Sequence, residues 1–211
     1  MGAELLYALW ETLYMVIVST VLSGIFGSGV AILMIMTGPS GLRPNAPLYR
    51  VLDVVVNLLR SFPFIILLIA IIPLTRIIVG TSIGSTASIV PLTIAATPFV
   101  ARLMEGSLLE VDRGVVEAAK SFGASTWQII WGVMIKEAMP SLVLNWAVVA
   151  INLLGYSAMA GVVGGGGLGD LAIKYGYNRF QTDVMIYSVA ILIVVVQVIQ
   201  CIGNYIYEKI R

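Results

Sequence analysis

Four stretches run for about 20 residues or more with almost no charge: 12–36, 83–103, 141–163 and 184–206, where Arg102 is the one charged side chain. A helix needs about 20 apolar residues to cross a bilayer, so each stretch is long enough to span. The apolar run 62–74 is too short alone. A further span must therefore occupy 54–72, which places Arg60 in or near the bilayer. An arginine at a helix centre costs about 2.5–3.5 kcal/mol unless it pairs or snorkels. Pro63 follows and disfavours α geometry at Phe62. A charge beside a break is a functional-site candidate; a snorkelling arginine near one interface is the plainer reading. The pattern predicts an all-α polytopic membrane protein with five transmembrane helices.

The connections differ in kind. Residues 37–50 and 73–84 carry Gly, Pro and Arg and read as loops. Ser19, Ser23, Gly27 and Ala31 recur every four residues in the first span, a small-residue stripe that lets a helix approach closely, within the chain or from another. Pro91 and Pro98 share one face of the third span, as a bend along a pathway or as packing kinks. Residues 104–139, between spans 3 and 4, form a polar interlude that concentrates the charges.

Within that interlude the segment EAAKSFGASTWQIIWGVMIKEAMP, residues 117–140, reads as two short helices joined at Gly123-Ala124. Asp112 can cap the first, and Gly takes the left-handed turn that ends it. Ser125 can cap the second, with Gln128 at the capping-box spacing. Trp127, Ile130, Trp131, Met134 and Ile135 then recur on one helical face. Pro140 stops this helix or opens the next.

Glu117-Ala118-Ala119, with Gly123 six residues after Glu117, then Ile129 and Pro140, resemble the cytoplasmic EAA loop of bacterial ABC-importer permeases. The resemblance implies a coupling helix that docks in a groove on an ATPase subunit, with Glu117, Ala118, Ala119, Gly123, Ala124, Trp127, Ile130 and Trp131 as coupling residues. Three further strings, RSFPFIILL at 60–68, IPLTRIIVGTSIG at 72–84 and GYSAM at 155–159, look like the membrane subunit of methionine ABC importers, and with the loop the resemblance covers nearly the whole chain. It implies two copies of this chain, two cytoplasmic ATP-binding subunits holding ATP and magnesium, and an extracytoplasmic binding protein that delivers methionine. It also implies a place in the bacterial inner membrane.

Composition narrows the alternatives. The chain of 211 residues is 59% hydrophobic and 11% charged, with a mean hydropathy of +1.00; a soluble domain carries about 25% charged residues. A net charge of +1 suggests no nucleic-acid partner. The lack of histidine removes Ser–His catalysis and the usual zinc sites. Cys201 is alone, so no intrachain disulfide is expected. The first residues hold no Lys or Arg, hence no signal-peptide n-region is expected. The glycine run 164–169 has a formal G-x-G-x-x-G spacing but no strand before it, so it predicts a flexible loop at the outer end of the fourth span and close to substrate. With no P-loop motif, ATP hydrolysis is expected in a partner and the chain is read as no enzyme and as binding no cofactor or metal.

Nine of the 12 basic residues (Arg43, Arg50, Arg60, Arg102, Arg113, Lys120, Lys136, Lys209 and Arg211) fall on one side if the first loop, the interlude and the C-terminus share it. Arg76, Lys174 and Arg179 fall on the other. Positive-inside counting then places the N-terminus outside and the C-terminus and the coupling loop in the cytoplasm.

The reading is a permease subunit working by alternating access. Arg60, Tyr156, Ser157 and Met159 are the pathway candidates. A permease for another small amino acid or related solute, a secondary transporter and an intramembrane enzyme are the rivals. A secondary transporter would usually carry acids inside its spans, where only Asp53 comes near, and an enzyme would need a base.

Overall fold

The computed structural model describes residues 2–210, and Arg211, counted above among the inner charges, lies outside them. Helix α1 (Gly2–Thr37) is 36 residues long. At 1.5 Å per residue it measures about 54 Å, well beyond a ~30 Å hydrocarbon core. It therefore starts ten residues before the predicted span, and its first turns extend past the apolar stretch. The small-residue stripe of α1 is buried inside the chain. A methyl group on Gly27 would run into Val100 of α5 (Ser85–Leu109), so the stripe serves close packing of α1 on α5. Pro91 and Pro98 are likewise buried in α5.

The predicted second span is not one helix. Helix α2 (Ala46–Arg60) begins earlier than predicted, because Asn45 caps it by accepting from the Leu48 amide at 3.2 Å and Pro47 sits in its first turn. It ends at Arg60, and α3 (Phe64–Ala70) departs at 99° from it. Pro63, which can donate no backbone hydrogen bond, stands at the joint. Helix α4 (Ile72–Val79) then fills most of what the sequence predicts as a loop, and Gly80 ends it at φ +82°. The proline and threonine of that segment start and decorate a short helix instead of breaking one.

Helix α5 continues to Leu109, six residues into the predicted interlude. After the hairpin described below, α9 (Met139–Gly161) returns with Pro140 in its first turn. Helix α10 (Gly167–Leu171) leads through a π-helical stretch (Ala172–Tyr177) to α11 (Thr182–Ile210). Four helices, α1, α5, α9 and α11, are long and apolar enough to cross a membrane; α2 with α3, bent by 99°, is a fifth candidate, as a broken span or a re-entrant loop. Helix α11 lies at the periphery, with only Val184, Ser188 and Gly203 buried.

The glycine run is not a loose loop. Gly165, Gly167 and Gly169 are buried, and a Cβ on Gly169 would collide with Ala158, one on Gly165 with Ser88. The Gly167 amide donates to Glu11 Oε2 and the Leu168 amide to Thr12 Oγ1, both at 2.9 Å. The glycines let the chain double back tightly on α9 and dock against the N-terminal third of α1.

Candidate functional site

The interlude folds as the hairpin its letters predict. Asp112 Oδ1 accepts from the amides of Gly114 (2.6 Å) and Val115 (3.3 Å), and α6 (Arg113–Ser121) follows. Gly123 at φ +79° turns the chain. Ser125 then opens α7 (Thr126–Ile129) through a reciprocal capping box: its hydroxyl accepts from the Gln128 amide at 3.3 Å, and its own amide donates to Gln128 Oε1 at 2.8 Å. A π turn (Ile130–Met134) and α8 (Ile135–Glu137) lead into α9.

A polar ladder holds the two feet of the hairpin side by side. Asn145 of α9 donates to Ser107 Oγ at 2.7 Å and to the Leu103 carbonyl at 3.3 Å. Ser107 and Ser141 share a hydrogen bond at 2.8 Å, and Ser141 reaches Glu110 at 3.4 Å. A cavity of about 400 Å³ separates α6 from the first loop and α2, lined by Gly38, Tyr49, Glu105, Arg113, Glu117 and Lys120 among others.

The predicted apolar face of the second arm splits along its length. Ile130 and Met134 turn inward and are buried in the core of the chain, whereas Trp127 and Trp131 each stay 57% exposed. Ile130, expected as a docking anchor, is therefore a core residue. Phe122, which the periodicity missed because it lies in the turn and not on a helical face, is 91% exposed beside Gly123. Glu117 and Ala118 are exposed; Ala119 and Ala124 are half-buried against the core. Phe122, Trp127 and Trp131 thus present large apolar surface on one connecting hairpin with nothing from this chain to cover it.

The pathway candidates divide as well. Arg60 and Tyr156 meet at one cavity of about 160 Å³, which Phe62, Phe64, Phe99 and Asn152 also line. The rings of Phe64 and Tyr156 stack there with centroids 4.5 Å apart and planes within 3°. Ser157 points elsewhere: it is buried and donates to the Leu154 carbonyl at 2.7 Å, a bond that closes its hydroxyl back on the helix. Met159 is exposed and lines no cavity with the other three.

Sequence reasoning also missed a buried charge network. Glu105 is 2% exposed. Arg102 donates to it at 2.8 Å and reaches across to Asp53 of α2 at 2.6 Å and to Asn57 at 3.1 Å, while Tyr49 donates to Glu105 at 3.1 Å. Arg102 inside one predicted span and Asp53 at the edge of another were its signs in the sequence. Among the described residues no group of three or more Cys, Asp or Glu is placed to hold a metal ion.

Residues 27–211 match the model of the binding-protein-dependent transport system inner membrane component family. The chain belongs to that family. It is a multi-pass inner-membrane permease, in keeping with its long apolar helices. It is 50% identical over 206 residues to the probable D-methionine transport system permease protein MetI of Vibrio cholerae, covering 98% of this chain and 92% of that one. It is 42% identical over 203 residues to the methionine import system permease protein MetP of Bacillus subtilis, covering 96% and 91%. Its backbone is similar to a chain of the MetNI methionine ABC transporter solved in an inward-facing conformation, with a TM-score of 0.98, 44% identity and coverage of 100% and 98%.

Proposed function

We propose that this chain is the permease subunit of an ATP-driven methionine importer, L- or D-, moving substrate inward by alternating access. The observation that carries the reading is 50% identity along 98% of the chain to a permease named for D-methionine transport. The chain works as a pair of copies with two cytoplasmic ATP-binding subunits and an extracytoplasmic binding protein. The ATPase activity, with ATP and magnesium, belongs to the partner subunit.

The hairpin between α5 and α9 is the coupling element. Phe122, Trp127 and Trp131 enter a groove on the ATPase subunit, and large aromatic anchors of this kind dominate interface energetics. Glu117, Ala118, Ala119, Gly123 and Ala124 shape the arm and the turn that carry them. The ladder through Asn145, Ser107 and Ser141 ties both feet of the hairpin together, so a displacement at the ATPase moves α5 and α9 as one unit. Selection rests largely on the binding protein, since a pathway that bound tightly would not release. The hairpin and C-terminus face the cytoplasm and the N-terminus faces outside, in accord with the bias of basic residues.

Proteoliposomes holding the permease–ATPase complex test this. Labelled methionine should accumulate only with ATP and substrate-loaded binding protein, and ATP hydrolysis should rise with loaded binding protein. Methionine uptake without ATP, or ATP-driven uptake of other solutes in its place, overturns the reading.

A further inference from the structure

Among the described residues Arg60 has no ion-pair partner, and it sits where the chain turns through 99° between α2 and α3. It ends α2, is exposed, and lines the small cavity bounded by α3, α5 and α9. An ionisable side chain within a span marks a site on a substrate path by default. The cavity supplies the rest of a recognisable chemistry. It holds one positive charge and, among its lining residues, no carboxylate. Asn152 offers an amide, and Phe62, Phe99 and Tyr156 offer aromatic surface.

We propose that this cavity is a transient subsite for a free α-amino acid in transit, with Arg60 taking its carboxylate. Guanidinium binds carboxylate through two parallel hydrogen bonds, which fixes the orientation of a small zwitterion entering the cavity. The ammonium then meets ring faces and the Asn152 carbonyl, since no acid competes for it. Aromatic edges suit a thioether side chain. The volume of about 160 Å³ is below the ~300–1,000 Å³ of pockets that enclose drug-sized ligands. It admits a small amino acid in part, which gives the weak hold that a pathway needs. The stacked Phe64–Tyr156 pair keeps α3 against α9 and so shapes one wall. The inference rests on the importer reading for the identity of the substrate.

The test reads the cavity itself. In the permease–ATPase complex, exposed Cys201 is replaced by Ser and Ala95→Cys, on the cavity wall and outside the proposed binding groups, is introduced as a reporter. Its reaction with a small thiol reagent is followed in phosphatidylcholine vesicles. Methionine should slow the reaction, and methioninol, which lacks the carboxylate, should not. Adding Arg60→Gln should raise the methionine concentration for half-protection about tenfold or more, the loss of a charged hydrogen bond, and Arg60→Lys should restore part of it. Co-purification of the ATPase subunit monitors folding of each variant. Equal protection by methioninol, or protection unchanged by Arg60→Gln, overturns the subsite. So does a reporter slowed by phosphatidylglycerol vesicles in the absence of methionine and indifferent to methionine, which would assign Arg60 to lipid phosphate. Uptake driven by loaded binding protein in the Cys201→Ser background is scored separately. Uptake without protection sinks the subsite alone, and absence of uptake sinks the importer reading.

Discussion

The hydroxyl of Tyr49 donates to the Glu105 carboxylate at 3.1 Å, joining the start of α2 to the C-terminal end of α5. Arg102 completes the join by bridging Glu105 and Asp53. Helix α2 is thereby fastened to α5, the helix that leads into the hairpin. Beyond the joint at Pro63, α3 is held by apolar contacts and the Phe64–Tyr156 stack.

Removing Arg102 leaves the buried Glu105 carboxylate without its counter-charge. Arg102→Met should cost about 3–5 kcal/mol, the usual result of breaking a buried pair from one side. Adding Glu105→Gln should recover a substantial part by removing the orphaned charge. Thermal unfolding of the purified complex in detergent reads both, and an unaltered melting temperature in Arg102→Met would show that the network holds nothing together.

The two halves of the apolar face should fail differently. Ile130→Ala should destabilise the chain by about 2–5 kcal/mol, as loss of a buried isoleucine does. Its folded fraction should still bind the ATPase subunit. Trp127→Ala or Phe122→Ala should leave stability alone and weaken ATPase binding by about 2 kcal/mol, roughly 30-fold, if each anchors the interface. Melting curves and affinity for the ATPase subunit, measured on the same variants, separate the outcomes; binding unaffected by either aromatic change counts against docking through this hairpin.

At Gly123 the space is open but the backbone is constrained. A Cβ there would meet nothing within 4 Å, whereas φ is +79°. Gly123→Ala should therefore cost only strain, about 1–2 kcal/mol, and retain some transport. Gly123→Asp adds charge at the docking joint and should abolish ATPase co-purification and uptake while leaving membrane abundance normal. Normal transport by Gly123→Asp would reduce the segment to an ordinary loop.

The bias of basic residues predicts the orientation, and labelling tests it. With Cys201 replaced by Ser, a cysteine at Ser40 should be shielded from an impermeant thiol reagent in intact cells, and one at Thr81 should react. The opposite pattern would put the hairpin on the wrong side for any cytoplasmic partner.

What the sequence determined by itself was local or cumulative. Apolar length identified four uninterrupted membrane helices, because crossing a bilayer demands about 20 apolar residues whatever surrounds them. The hairpin was equally legible: Asp112, Gly123, Ser125 and Gln128 act on backbone groups within three residues of themselves, so their order predicts their bonds. Pro63 announced a break for the same reason. Tertiary structure alone decided the rest. Proline and glycine act through sequence neighbours, yet the 99° turn also needs somewhere for α3 to pack, which no local rule supplies. Periodicity placed Ile130 and Trp131 on one face, but which of two adjacent residues meets the core depends on where α5 and α9 stand. The glycine run read as slack because Gly is permissive in isolation; against Ala158 and Ser88 the missing side chains are what allow contact. Arg60 meets Tyr156, and Tyr49 meets Glu105, across 96 and 56 positions of chain. Such meetings are set by helix packing, and a single sequence carries no local signal for them.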